Sequence, residues 1–271
     1  MNLIKQVFNF YINASIHVAL AVYSLVRVTE FYFGLNYNES LNYFIFYGTI
    51  TGYNFVKYFG IAKFHHRSLT RNLKVIQLFS LLCFIAMLFY AWQLSIETLL
   101  FITPFGLLTV LYAIPFLSGF QKNLRNISFL KIIIIALVWS GVTVLLPVHE
   151  AKEVSTDIVV YQTIQRFLLV CVLILPFDIR DMQYDAISLQ TIPQKIGVEK
   201  TKKLGYVLLL FTLVLEFVIS SNTSTRNVFL ILFFVTLFFL MRATKNQSKY
   251  YSSFWVESIP ILWFLLVNFS T

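Results

Sequence analysis

The chain has 271 residues, of which 58% are apolar and 12% charged, with a mean hydropathy of +0.76 and a formal net charge of +9. A soluble domain carries charge on about a quarter of its residues, so this composition excludes one and describes an integral membrane protein. Two cysteines, Cys83 and Cys171, both in apolar stretches, provide neither a disulfide framework nor a metal-ligand spacing.

Apolar segments of spanning length, about 20 residues each, run roughly over 11–33, 41–59, 73–92, 96–118, 129–148, 157–177, 204–221, 227–243 and 252–270. The connections are short, so 1–271 is read as one polytopic domain of nine helices. The first segment contains Ala19-Leu-Ala21, which resembles a cleavage site, but Asn13, Ser15 and His17 interrupt the stretch before it, and the segment is read as a span. Asn13 and His17 fall one turn apart and are expected to make an interhelical hydrogen bond. Arg27 and Glu30 have the spacing of a local ion pair. The second segment ends in Asn54, Lys57 and Tyr58 and passes into a basic stretch with Lys63, Arg67 and Arg71. Arg166, Glu216 and Glu257 lie inside later spans, where a charge needs a partner. Most of the 29 Phe and 15 Tyr are expected to fill the bundle and its interfacial belts.

Charge sets the expected orientation. With the N-terminus inside and the spans alternating, 17 of the 21 Lys and Arg fall on the inner side, leaving Arg27, Lys152, Arg166 and Arg226. This is a positive-inside asymmetry. The net positive charge therefore implies topology and contact with anionic membrane lipids, with no nucleic acid as partner. A multi-pass protein of a bacterial inner (cytoplasmic) membrane is expected.

The sixth span runs into Pro176-Phe-Asp178-Ile-Arg180-Asp181-Met-Gln-Tyr-Asp185. The three carboxylates recur at i, i+3 and i+7, within about 60° on a helix face. Like charges so placed repel, and hard oxygen donors grouped this way suit Mg²⁺ held together with substrate phosphates. Pro176, one turn earlier, removes a backbone hydrogen bond and re-aims the acidic turn. The competing reading is a solvated helix end paired with Arg180 and the lysines that follow.

Asp178-x-x-Asp181-x-x-x-Asp185, followed by Thr191-Ile-Pro193-Gln-Lys195-Ile-Gly197, resembles the second aspartate-rich motif of the UbiA-type intramembrane prenyltransferases. Tyr112-Ala-Ile-Pro115, with Lys122 and Arg125, resembles that family's tyrosine-then-basic segment more loosely. The resemblance implies an all-α, nine-helix bundle around a central cavity with a cytoplasmic N-terminus. It further implies transfer of a prenyl group from a prenyl diphosphate to an aromatic or lipid acceptor. Asp178, Asp181 and Asp185 would then be catalytic and hold Mg²⁺, and Asn54, Lys57, Tyr58, Arg67, Arg180 and Lys195 would bind substrate.

The family's first motif places aspartates at +1, +4 and +8 after an Asn. Here Asn54 is followed at those positions by Phe55, Tyr58 and Ala62. The position after the last aspartate of the second motif, often basic, is Ala186. A single ion is therefore expected, with Lys57 or the basic loop completing the phosphate site as point charges. Two alternatives stand beside the transferase: a non-catalytic protein of the same fold that binds an isoprenoid, quinone or lipid, and a small transporter. Against the transporter, the carboxylates gather at one interface rather than at the midplane. An alcohol phosphatidyltransferase fits poorly, because Asp178 and Asp181 are followed by Ile179 and Met182.

Overall fold

The computed structural model describes residues 3–64, 71–114, 130–152, 156–182 and 191–270, and these are helical with no strand among them. The helices are α1 (Leu3–Asn13), α2 (Ile16–Tyr32), α3 (Glu39–Phe64), α4 (Arg71–Ala91), α5 (Ile96–Ala113) and α6 (Leu130–Ser140). Then follow α7 (Leu146–Ala151), α8 (Thr156–Asp181), α9 (Ile192–Ile196), α10 (Val198–Ile219), α11 (Thr223–Arg242) and α12 (Ile259–Phe269). A π-helical turn, Gly141–Leu145, joins α6 to α7, and another, Tyr251–Val256, leads into α12.

Among the described residues six helical stretches are long and apolar enough to cross a membrane, and a seventh is added if the bent pair α1–α2 counts as one. α3 and α10 have the length but carry more polar residues, among them Lys202, Lys203 and Glu216 in α10. Outward faces are apolar. On α10 alone Val207, Leu210, Phe211, Val214, Phe217 and Val218 are exposed at helical spacing. A band of this kind requires a lipid surround, and the protein is an integral, multi-pass membrane protein. Hydroxyls inside the helices are satisfied locally, Thr49, Thr51, Thr143 and Thr236 each donating to the carbonyl one turn back.

The core is built from α2, α8, α10, α11 and α12 around Leu25, Leu169, Leu173, Leu175, Phe229, Leu232 and Trp263. Close approach is secured by small residues. A Cβ on Gly205 would lie 2.5 Å from Leu240 and 2.8 Å from Leu175, and one on Gly141 would lie 2.1 Å from the Phe105 ring.

The first expected span differs from the structure. α1 and α2 meet at 54°, with Ser15 left-handed at φ 62°. The break frees polar backbone groups, and α3 supplies their partners. Asn54 donates to the Ala14 carbonyl at 3.1 Å and accepts from the Ser15 hydroxyl at 2.8 Å. Tyr58 donates to the Asn13 carbonyl at 2.9 Å, and Lys57 donates to Ser15 Oγ at 2.9 Å. At the other end of the chain, Pro260 lacks the N–H that would extend α12 backwards, and the preceding turn widens to the π form.

Candidate functional site

A cavity of about 180 Å³ opens among α3, α6, α8 and the start of the last span. Two helical stripes form most of its wall. Lys131, Ile135 and Trp139 recur every fourth residue on α6, and Val170, Leu173, Ile174, Phe177 and Asp181 follow one face of α8. Tyr53 comes from α3, and Val256, Glu257 and Pro260 come from the last span. The wall is apolar along its depth. Trp139 Nε1 donates to Tyr53 Oη at 2.9 Å, which fixes both rings.

Charge collects at one end of this cavity. Lys131 Nζ meets Asp178 Oδ1 at 2.7 Å. Arg180 Nε meets Asp181 Oδ1 at 2.7 Å, and its guanidinium lies 5.3 Å from the Phe177 ring centre. Glu257 lies within the fields of Lys57 and Arg180. Asp178 and Asp181 are thus each paired with a cation, and Lys131, Asp181 and Glu257 are the charged side chains that line the cavity. The π turn just before Glu257 ends with the Glu257 N–H donating to the Ser252 carbonyl at 3.2 Å, five residues back. A regular α-helix would offset that side chain by about one residue.

The expected site residues fall in different places. Asp178 is 1% exposed and points into the α6–α8 contact, while Asp181 lines the cavity. The 60° between them on α8 is enough to separate their surroundings. Asp185 and Arg67 lie outside the described residues, as do Lys122, Arg125 and Tyr184. Asn54 is buried at 3% exposure in the α1–α2 break, and Tyr58 is engaged beside it. Lys57 is exposed and shares its ammonium between Ser15 and the field of Glu257. Arg180 stands at the rim. Lys195 is exposed on α9, a short helix whose first turn is braced by Thr191 N donating to Gln194 Oε1 at 2.9 Å.

Two residues at the centre were not among the expected site residues. Lys131 had been counted only towards the positive-inside asymmetry, and Glu257 only as a span carboxylate in need of a partner. A lysine followed by Ile132, Ile133, Ile134 and Ile135 is a charge at the start of an apolar helix, and that was the available signal.

As placed, the two described aspartates do not make a Mg²⁺ site. Among the described residues no group of three His, Cys, Asp or Glu side chains is placed to hold a metal ion. Mg²⁺ bonds oxygen at about 2.0–2.1 Å. An ion on Asp178 Oδ1 would then lie within about 5 Å of Lys131 Nζ. Like unit charges at about 4 Å repel by about 4 kcal/mol at an effective dielectric constant of 20, and a divalent ion doubles that. The ion would have to displace the lysine.

Several other polar residues in the spans have structural partners. His17, 2% exposed, accepts from the Tyr11 hydroxyl on Nδ1 at 2.7 Å, and Nε2 donates to the Phe254 carbonyl at 2.9 Å. Arg27 pairs with Glu30. Arg166, wholly buried, donates to the Leu25 carbonyl at 2.9 Å and to the Thr143 and Thr29 hydroxyls, and lies 5.0 Å from the Trp263 ring centre. Glu216 accepts from Tyr32 and from Gln165, each at 2.8 Å.

No protein-family model and no curated protein matches the chain. Solved structures do resemble it. A UbiA homologue from Archaeoglobus fulgidus bound to GPP and Mg²⁺ superposes with a TM-score of 0.63 at 14% identity, covering 96% of this chain and 99% of that one. The same homologue bound to DMAPP and Mg²⁺ gives 0.62 at 14% identity, over 97% and 98%. A digeranylgeranylglyceryl phosphate synthase gives 0.61 at 14% identity, over 98% of each chain. The chain has the UbiA-type fold, and its low identity makes it a divergent example of that fold.

Proposed function

We propose that this protein binds a prenyl diphosphate in the cavity among α3, α6, α8 and the last span and transfers the prenyl group to an aromatic or lipid acceptor. The observation that carries the reading is a cavity with Lys131, Asp181 and Glu257 in its lining and aromatic and aliphatic walls beside them, on a fold shared with proteins solved with GPP or DMAPP. Lys131, Arg180 and Lys57 would face the diphosphate, with Arg67 and Lys195 as further candidates from the basic loops. Ile135, Val170, Leu173 and Ile174 would hold the chain. In the transfer, the allylic C–O bond breaks and its electron pair leaves with the diphosphate. The allylic carbon bonds to the acceptor, which gives up a proton. Tyr53, Trp139 and Phe177 offer ring faces to the developing cation, and the ammonium and guanidinium groups stabilise the leaving charge. Mg²⁺ is the ion held by the A. fulgidus homologue. Asp181 is the expected ligand that faces the cavity here, and Asp185 would stand next to it in sequence order.

The topology proposed for this function has nine crossings and a cytoplasmic N-terminus, with α3 and α10 crossing despite their polar residues. The apolar outer face of α10 supports this. Cysteine labelling should place positions 63 and 195 on one side of the membrane and position 152 on the other.

A second reading is favoured by one observation. Asn54 and Tyr58 are consumed in holding the α1–α2 break, which suits a protein that binds the diphosphate without turning it over. Purified protein incubated with geranyl and longer prenyl diphosphates, with and without Mg²⁺ and quinone-type or lipid acceptors, separates the two. Binding with release of diphosphate supports the transferase. Binding without release under any of these conditions supports the binding protein. Failure to bind any chain length sinks both.

A further inference from the structure

We propose that Glu257 and Tyr53 hold the acceptor by a free hydroxyl, so that the acceptor is a phenol or an alcohol rather than a quinone, a carboxylate or a phosphate. The inference rests on the transferase reading above and names the group by which its acceptor is recognised.

Three charged side chains line the cavity, and two of them have close partners of opposite sign. Lys131 meets Asp178 at 2.7 Å, and Asp181 meets Arg180 at 2.7 Å. Glu257 differs from both. Among the described residues its carboxylate makes no hydrogen bond and has no cation within ion-pair distance. Its place in the wall is nevertheless fixed. The Glu257 N–H donates to the Ser252 carbonyl at 3.2 Å, closing the π turn. Val256 before it and Ile259 after it are 1% and 2% exposed. A carboxylate held in an apolar wall with its hydrogen bonds unmade is unfavourable, and a ligand that brings a donor relieves it.

Tyr53 supplies the complement from α3. Its oxygen accepts from Trp139 Nε1 at 2.9 Å, which turns the hydroxyl hydrogen away from the indole. That hydrogen has no acceptor among the described residues, and Tyr53 and Glu257 are not bonded to each other. The lining therefore offers one unused acceptor and one unused donor. A hydroxyl answers both, donating to Glu257 and accepting from Tyr53. The oxygen of a quinone, an ether, a carboxylate or a phosphate only accepts. It would meet Tyr53 and leave Glu257 unpaired. The Trp139 ring, edge-on to Tyr53 at 6.4 Å between centres, and Ile135 one turn away give the body of the acceptor an apolar surface.

The test is equilibrium binding to the full chain in detergent, without prenyl diphosphate. The probes are two matched pairs: an alkyl hydroquinone with its dimethyl ether, and decanol with its methyl ether. In one pair the hydroxyl compound should bind about tenfold tighter than the ether, as hydrogen bonds to a charged group give. The hydroquinone pair showing this marks an aromatic acceptor, and the decanol pair marks a lipid one. Glu257→Gln keeps the shape and removes the charge. It should cut the hydroxyl preference severalfold and leave the Kd of the ether unchanged. Tyr53→Phe, which also takes an acceptor from Trp139, is compared only at an unchanged unfolding midpoint and should cut the preference less. Equal binding of hydroxyl compound and ether in both pairs would overturn the inference. So would a preference that survives both Glu257→Gln and Glu257→Leu, or failure of every hydroxyl probe to bind. Geranyl diphosphate binding to the same preparation is scored separately. Its persistence in any of those cases leaves the diphosphate site standing, and its loss removes the transferase reading itself.

Discussion

Two clusters of charge lie along α8, and they differ in what surrounds them. Around Arg166 the partners are the Leu25 carbonyl, two threonine hydroxyls, the Trp263 ring and, through Tyr32 and Gln165, Glu216. About 18 Å further along the helix, Asp178, Arg180 and Asp181 stand beside a cavity whose far wall carries Glu257. The first cluster is closed and the second opens onto space. Buried charge in a membrane helix therefore marks a place where partners were needed, and only the open cluster has somewhere to put a substrate.

The comparison can be broken most severely at the closed end. Arg166→Met leaves Glu216 without its nearby cation and several hydrogen-bond acceptors unpaired. It should cost about 1–3 kcal/mol of stability for each buried group left unpaired, read as a fall in the unfolding midpoint in detergent. Diphosphate binding per folded molecule should be unchanged, and a specific loss of binding would mean that the two clusters are coupled. At the open end the order of effects should reverse. The Lys131→Met, Asp178→Asn variant should keep its unfolding midpoint within a few degrees and lose about tenfold or more in diphosphate affinity, as removal of a charge-assisted contact does.

Gly205→Ala tests the packing that separates the two clusters. Its new methyl would press on Leu240 and Leu175. Overpacking of this kind costs about 1–3 kcal/mol, and thermal unfolding would detect it. Tyr58→Phe should give the smallest change, about 0.5–1.5 kcal/mol for one lost hydrogen bond to a backbone carbonyl. If instead it abolishes diphosphate binding at unchanged stability, Tyr58 belongs to the substrate site and the division drawn here is misplaced.

Much of this arrangement could be read from the residues alone. The apolar composition gave the membrane, the Arg27–Glu30 spacing gave an ion pair, and Arg166, Glu216 and Glu257 stood out as charges needing partners. The short spacing of Asp178 and Asp181 placed them at one helix end, where they are. Their different environments were not legible, because 60° of helix rotation separates a contact with α6 from a cavity wall, and only the packing of α6 decides which is which. The break at Ser15 had no glycine or proline to announce it. Asn54 and Tyr58 took up the exposed carbonyls through contacts about forty residues away in sequence, a distance that local pattern does not reach. The π turns were equally silent: Gly141 hints at one, and nothing in Tyr251–Val256 hints at the other.

The His17–Phe254 hydrogen bond joins residues separated by 237 positions, and Tyr250 reaches Asn9 across 241. The bundle is thus seamed by contacts between its first described helices and its last span. A chain emerging from the ribosome folds from its N-terminal part onward. α3 can hold the α1–α2 elbow early, but His17 has only Tyr11 as a partner until the span that carries Phe254 is inserted. Completion of the cavity is correspondingly late: the segment that supplies Glu257 also closes the seam, so a nascent chain displays no finished pocket before that segment is inserted.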